Sequence, residues 1–362
     1  MIHIAFTGGG TGGHIYPGLA VAAALQKLVP CRIFWIGSDT GMDRSLVSQG
    51  GLEFFGIPAG KFRRYFSLKN LSDILKIGAG FLAARRILKR EKPVLLFSKG
   101  GFVSVPPCAA AASLRIPVFT HESDYSPGLA TRINIRFAPQ ILTAYEDTAS
   151  FFPERFRNRV HALGNPIRPE FRSADAAAGR AFLGIDAEDR VLLVLGGSQG
   201  AREINRLIRE ALPALTRHYV VVHQTGPHTE WDLPPQGRYR PYPYIREELS
   251  HVLAAAELVL GRSGAGTLWE CAALGKPMVL IPLAGSGTRG DQVENARYFE
   301  KAGAAVVLRG GAGAEALEKE IASLSENESL RASMAAASAR IGAGDSADRI
   351  ARLMVEYLKD KS

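Results

Sequence analysis

Two apolar runs, each ending in clustered glycines and followed by a helical pattern, stand 188 residues apart, counted from Gly8 to Gly196. They are "IHIAFTGGGTGGHIYPGLAVAAALQKL" from Ile2 and "RVLLVLGGSQGAREINRLIREAL" from Arg190. Strand, glycine turn and helix form the opening unit of a βα fold, so two copies imply two similar α/β domains. Further runs alternate with helical stretches: "CRIFWIG", "PVLLFSKGG", "PVFTHESD" and "QILTAYED" in front, "HYVVVHQTG", "AELVLGRSG" and "PMVLIPL" behind. Alternation of this kind gives mostly parallel sheets covered by helices on both faces. The segment His161 to Phe171, with Gly164, Asn165, Pro166 and Pro169, breaks both helix and strand. The boundary is set there, giving an N-terminal domain of residues 1–164 and a C-terminal domain of residues 165–344. Residues 345–362 carry Ile350, Leu353, Met354, Tyr357 and Leu358 at helical spacing, and this last helix is expected to pack back on the first domain.

In such sheets ligands bind beyond the carboxyl ends of the strands. The glycine-bearing and polar loops fall there, at 8–14, 98–104, 121–124, 196–200, 262–266 and 283–295. Two domains facing one another would gather them in a cleft. The first loop holds five glycines in the six residues Gly8 to Gly13 and opens a helix. The first N–H groups of a helix lack partners, and the aligned peptide dipoles place roughly half a positive charge at that end. Phosphate or a developing oxyanion suits such a site. Gly8, Gly10 and Gly13 also satisfy G-x-G-x-x-G, the dinucleotide fingerprint, which needs an acidic residue closing the second strand. Here that strand ends in Gly37 and Ser38, with Asp39 slightly late. A triphosphate loop fares worse, since no Gly-Lys-Ser/Thr follows, and a plain tight turn is the bland alternative.

At 362 residues the chain is long enough for two domains, each with its own core. With 46% hydrophobic and 22% charged residues it belongs with globular proteins rather than disordered or fibrous ones. Its start, "MIHIAF", reads as a strand with no basic leader, and no apolar stretch reaches the length of a bilayer span. Cys31, Cys108 and Cys271 are far apart in apolar settings, which suits reduced thiols. These features together point to a cytoplasmic protein.

The net charge of +9 is unevenly spread: residues 1–165 hold 20 Lys and Arg against 10 Asp and Glu. Between Lys61 and Lys92 there are ten basic and two acidic residues, interleaved with Leu71, Ile74, Leu75, Phe81, Leu82 and Leu88 near helical spacing. A basic amphipathic helix of this kind lies on anionic lipid, with Leu75, Phe81, Arg85, Arg86 and Lys89 as the contacts. The alternative is a surface helix packing its stripe on the first domain with solvated charges outside. Nucleic acid is disfavoured, because the segment lacks interleaved surface aromatics and any recognised nucleic-acid module.

In the second half "GRSGAGTLWECAALGKP" combines a small-residue turn with a helix start, and Glu270 lies one turn in, where a carboxylate can accept both hydroxyls of a ribose. An ordinary first-turn Glu is the structural alternative. "PLAGSGTRGDQVENA" follows, with Asp291, Gln292 and Asn295 offering the acceptors and donors that sugar hydroxyls require; read alone it is a helix cap.

Seven motifs, "TGGGTGGHIYPGLAVA", "SKGGFVSVP", "HESDYSPGLA", "GNPIR", "GGSQGAREIN", "RSGAGTLWE" and "GDQVENA", run the length of the chain. In order and spacing they resemble the MurG family, bacterial glycosyltransferases that add N-acetylglucosamine to the lipid-linked muramyl-pentapeptide precursor of peptidoglycan. The resemblance implies an α/β GT-B fold, two Rossmann-like domains with mostly parallel sheets facing a central cleft. It places UDP-N-acetylglucosamine on the second domain and the acceptor on the first. By position, Ser198 and Gln199 would lie at the diphosphate, Ile245 at the uracil, Thr267 near the phosphates, Glu270 on the ribose, and Asp291 and Gln292 on the sugar. Thr11, Gly12, Gly13, His14, Gly100, Gly101, Phe102, Glu122, Asp124 and Arg168 would line the first-domain side, where Thr11, Gly12, Gly13 and Arg168 also reach the donor. Phe102 stands where many members carry Tyr, Ser123-Asp124 where many carry Gln-Asn, and Asp291 where many carry Gln.

The chain contains no Asp-x-Asp, so paired aspartates holding a metal on the donor are not supported, and no cofactor is expected. Helix N-termini and backbone N–H groups would meet the charge of departing UDP. Direct displacement with inversion needs one general base. His14 is the first candidate, because positive potential at a helix N-terminus favours neutral imidazole; Asp124 and Glu122 are its rivals. The expected partners are the sugar nucleotide, the lipid-linked acceptor and an anionic membrane on the inner face of the cell membrane, and other cell-wall synthesis proteins are compatible with the resemblance. A transferase with another acceptor such as diacylglycerol, a UDP-N-acetylglucosamine epimerase, and a catalytically weak sugar-nucleotide-binding subunit are the competing readings.

Overall fold

The computed structural model describes residues 2–60, 69–197, 200–227, 233–285 and 289–361, the side chains of 69–74 excepted. Two compact units emerge, one of Met1–Arg168 with Asp345–Ser362 and one of Pro169–Gly344. The first holds strands β1 (Ile2–Thr7), β2 (Cys31–Ser38), β3 (Glu53–Ile57), β4 (Leu95–Ser98), β5 (Val118–Glu122), β6 (Gln140–Thr143) and β7 (Val160–Ala162). The second holds β8 (Val191–Leu195), β9 (Val220–Gln224), β10 (Tyr239–Tyr242), β11 (Leu258–Gly261), β12 (Met278–Leu280) and β13 (Ala305–Val307).

Each sheet is wholly parallel. The orders are β3-β2-β1-β4-β5-β6-β7 and β10-β9-β8-β11-β12-β13. Strand order reverses between β1 and β4 in the first sheet and between β8 and β11 in the second. In doubly wound folds that reversal leaves a crevice at the carboxyl ends, where ligands sit. Both glycine loops leave from the reversal point: Thr7 pairs with Ser98, and Leu195 pairs with Gly261.

Side-chain alternation builds the first core. Ile4, Phe6, Ile33 and Trp35 point to the face covered by helices Gly12–Leu28 and Ser346–Lys359, through Val21, Leu25, Ile350, Ala351 and Met354. Ala5, Phe34, Ile36 and Leu96 point to the other face, covered by helices Lys69–Glu91 and Val105–Ser113. The C-terminal helix is thus part of the first unit's core, and its Tyr357 meets Phe119 edge to face at 5.1 Å. In the second unit Leu192, Val194, Val221, Leu258 and Leu260 pack against helix Arg202–His218, whose Ile204, Leu207, Ile208, Ala211 and Leu215 recur at helical spacing.

Candidate active site

The first glycine loop is fastened from below. Trp35 is fully buried and its indole N–H donates to the Gly8 carbonyl at 2.9 Å. The carboxylate of Asp43, 1% exposed, accepts Gly10 N–H at 2.9 Å and Ser38 N–H at 3.0 Å. Gly10 has φ +84°, and a Cβ there would lie 2.6 Å from Phe102 Cε1, so a glycine is required where the aromatic ring covers the turn. Helix Gly12–Leu28 then begins with Thr11 as its N-cap, whose side chain makes no capping hydrogen bond.

The His14 ring lies against the second loop: a Cβ on Gly101 would stand 2.9 Å from its Cδ2 and 3.3 Å from its Nε2. The structure therefore brings Gly10, His14, Gly100, Gly101 and Phe102 together. Ser104 Oγ donates to Gly101 O at 2.8 Å, and Ser98 Oγ accepts Gly100 N–H at 3.2 Å, so buried hydroxyls hold the second loop's backbone.

The third loop follows β5. Both oxygens of Glu122 are committed to backbone: one accepts Ser123 N–H at 2.9 Å and Asp124 N–H at 3.1 Å, the other Gly128 N–H at 3.0 Å. Glu122 is buried, whereas Asp124 is half-buried. Lys99, at the end of β4, donates from Nζ to Ser123 Oγ. His121 is fully buried, and its Nε2 meets the Gly164 carbonyl at 2.9 Å. Burial, then the Lys99 charge, push the His121 imidazole far below its ordinary value, with the Gly164 contact opposing them, so the ring is neutral. Arg168 stacks on Tyr16, 5.3 Å from ring centroid to guanidinium, which places it beside the first helix two residues beyond His14.

In the second unit Ser198 and Gln199 lie outside the described residues; the glycines flanking them are joined by Gly200 N–H donating to Gly197 O at 3.1 Å. Gly200 has φ +77°, and a Cβ there would fall 2.3 Å from Thr225 O. Gln224, at the end of β9, spans two parts of the site: its Nε2 donates to Gly197 O at 3.4 Å, and its Oε1 accepts Ile245 N–H at 3.0 Å. Ile245 is 2% exposed, so its side chain is buried rather than projecting.

Helix Ala265–Ala273 starts from Gly264 with no side-chain cap, and Thr267 and Glu270 on it are half-buried. Helix Asp291–Lys301 is joined to the same loop, because Ser263 Oγ donates to Gln292 O at 2.7 Å and Asn295 Nδ2 donates to Ser263 O at 3.2 Å. Thr267, Glu270, Asp291 and Gln292 therefore belong to one built corner. Gln292 Oε1 accepts Leu283 N–H at 3.0 Å, and Asp291 takes a 3.1 Å hydrogen bond from Arg289. Asn295 is fully buried and serves this junction.

Two residues that sequence reasoning missed hold the first-unit loops: Asp43 and Lys99. Asp43 acts 33 residues from the amide it caps. Lys99 sat in view within "SKGGFVSVP", where a lysine between a buried strand and two glycines was the available signal.

The basic helix Lys69–Glu91 divides its apolar residues between two faces. Ala84 and Leu88 are buried in the first core, and Phe81 packs against it, so Phe81 is mainly an anchor. Leu75 and Leu82, one heptad apart, are 70% and 54% exposed, and Arg85, Arg86 and Lys89 are exposed with them. Leu71 and Ile74 lie outside the described side chains. Among the described residues no helix is long and apolar enough to cross a membrane.

Comparison with known proteins defines the class to which this fold and these loops belong. The glycosyltransferase family 28 N-terminal domain matches residues 4–143 and the family 28 C-terminal domain residues 191–350, and the chain belongs to this family of GT-B glycosyltransferases. It is 51% identical over 331 residues to a Treponema denticola protein named UDP-N-acetylglucosamine–N-acetylmuramyl-(pentapeptide) pyrophosphoryl-undecaprenol N-acetylglucosamine transferase, covering 85% of this chain and 84% of that one. A Treponema pallidum protein of the same name is 46% identical over 370 residues, covering 99% and 96%. The crystal structure of Acinetobacter baumannii MurG superposes with a TM-score of 0.74 at 25% identity, over 98% of this chain and 100% of that one. Within family 28 the chain stands among the MurG transferases.

Proposed function

We propose that this protein transfers N-acetylglucosamine from UDP-N-acetylglucosamine to an undecaprenyl-diphosphate-linked N-acetylmuramyl-pentapeptide with inversion at the anomeric carbon. The observation that carries the reading is 51% identity across both units to a relative bearing that activity in its name. The donor belongs to the second unit, with Ser198 and Gln199 at the diphosphate, Ile245 at the uracil, Thr267 near the phosphates, Glu270 at the ribose, and Asp291 and Gln292 at the sugar. The acceptor belongs to the first, along Thr11 to His14, Gly100 to Phe102, Asp124 and Arg168.

In the step itself His14 takes the proton of the acceptor hydroxyl, whose oxygen attacks the anomeric carbon opposite the diphosphate, and UDP departs. Backbone N–H groups of the second glycine loop and the uncapped start of helix Ala265–Ala273 meet the charge that develops on UDP. Glu122, spent on three amides, orders the loop that carries Asp124. Phe102, lacking a hydroxyl, shapes the first loop. The exposed Leu75, Leu82, Arg86 and Lys89 favour a peripheral position on the anionic inner face of the cell membrane, where a polyprenyl acceptor resides.

The test supplies purified protein with radiolabelled UDP-N-acetylglucosamine, a short-chain lipid-linked muramyl-pentapeptide and diacylglycerol. A labelled lipid-linked disaccharide is expected. Label on diacylglycerol, or an epimerised sugar nucleotide with no transfer, would replace this reading by one of its competitors.

A further inference from the structure

A lysine whose ammonium is removed from water carries a large desolvation cost, so a fully buried one asks for a reason. Lys99 is 1% exposed. Its Nζ donates to Ser123 Oγ, and that hydroxyl donates onward to Asn165 Oδ1 at 2.9 Å. Asn165 is itself 2% exposed. The third loop is therefore held from two directions, by the Glu122 carboxylate on its amides and by the Lys99 ammonium on its first side chain. The charged groups facing Lys99 are Glu122, at the end of β5, and Asp124 from the loop that follows; among the described residues His121 of β5, neutral in the fold, also faces it.

We infer that Lys99 is a positioning residue for the transfer reaction, fixing Ser123 and with it the loop that follows β5. The inference rests on the reading of the first unit as the acceptor side. Burial draws the Lys99 ammonium down to about 8, against the opposing pull of Glu122 and Asp124. The cation that organises the loop is thus lost within an accessible pH range.

The experiment measures kcat against pH from 6 to 10, UDP affinity and thermal midpoint for wild type, Lys99→Met and Ser123→Ala. Wild-type kcat is expected to decline as pH rises through about 8, as Lys99 loses its proton. Lys99→Met is expected to lose about ten- to a hundredfold in kcat at neutral pH, the scale of a misplaced reacting group. It should also lack the alkaline decline and bind UDP as wild type does. Ser123→Ala should lower kcat and flatten the alkaline decline, because the hydroxyl through which the ammonium holds the loop is gone. A Lys99→Met protein with wild-type kcat and pH profile overturns the inference. Should that variant fail to fold, wild-type turnover in Ser123→Ala overturns it instead. Failure of the underlying reading looks different: wild type itself would then transfer no sugar to the lipid-linked acceptor.

Discussion

The carboxylate of Asp43 accepts the amide N–H of Gly10 at 2.9 Å, tying the start of a short surface helix to the glycine loop that carries His14. Its second oxygen takes Ser38 N–H at 3.0 Å, so one buried side chain satisfies two donors at the ends of neighbouring strands. Removing it orphans both, at about 1–3 kcal/mol each. Asp43→Ala should therefore lower the thermal midpoint and cut kcat together. Asp43→Asn keeps one acceptor but turns an NH2 toward the other donor, and should fall between. Unchanged kcat in a folded Asp43→Ala protein would show that the loop holds its shape without this carboxylate.

Gly101 stands where His14 needs room. A Cβ there would lie 2.7 Å from Gly9 O and 2.9 Å from His14 Cδ2, at a φ of +77°. Gly101→Ala is expected to displace the imidazole and to add about 1–2 kcal/mol of backbone strain. His14→Ala should cut turnover by about 10²–10⁴-fold, the range of a general base, with UDP affinity near wild type. The double variant should lose little more than His14→Ala alone, because both changes act on one ring. Additive losses in steady-state kinetics would separate the two residues, and loss of UDP affinity with intact turnover would remove His14 from the role of base.

The strands that carry the site were legible because buried parallel strands read as apolar runs, as "VLLVL" does and as "IAF" does within "HIAFT", and glycines mark where they end. The edge strands β3, β7, β10 and β13 were harder to see. Tyr239–Tyr242 contains a proline and three polar or amphipathic residues, which edge pairing tolerates and a periodicity rule passes over. The residues put Glu270, Asp291 and Gln292 in view and the family resemblance added Thr267, but neither showed the Ser263 and Asn295 bonds that gather them into one corner. Asp43 and Gln224 escaped for a common reason: each serves backbone groups distant in sequence, and no local pattern records a partner that only folding supplies. The split of the basic helix into a buried Ala84–Leu88 face and an exposed Leu75–Leu82 face was likewise hidden, since both sets recur at helical spacing.

Gln224 links the second glycine loop to Ile245 through its two amide ends, at 3.4 Å and 3.0 Å. With diphosphate proposed at one end of that link and uracil at the other, Gln224→Ala should weaken UDP binding by about tenfold, or about 1.4 kcal/mol. Titration calorimetry with UDP measures this directly. Turnover at saturating donor should stay close to wild type, because the acceptor side is untouched. Equal affinities would mean that the loop and Ile245 hold their places independently.

The opposite end of the second sheet carries stability rather than chemistry. Arg190 and Glu257, just before β8 and β11, pair through hydrogen bonds of 2.7 and 3.0 Å. Arg331 adds a 2.8 Å ion pair, and Tyr219 donates to the same carboxylate at 3.3 Å. Burial works to raise the Glu257 carboxyl; the bonds and charge of Arg190, then Arg331 and Tyr219, outweigh it, and the group sits below the ordinary carboxylate range. A carboxyl lowered in the fold stabilises it above its unfolded value, near 4.5, and that contribution fades as pH falls through the folded value. The group is partly solvated, so the stabilisation is about 1–2 kcal/mol after screening. Urea unfolding should show Glu257→Gln less stable than wild type by that amount at pH 7, with the gap closing as pH drops below 4.5. UDP affinity should be unchanged at pH 7, since the cluster sits at the amino ends of the strands and the glycine loop at the carboxyl ends. A gap that persists undiminished in acid would assign the cluster's contribution to packing rather than to charge.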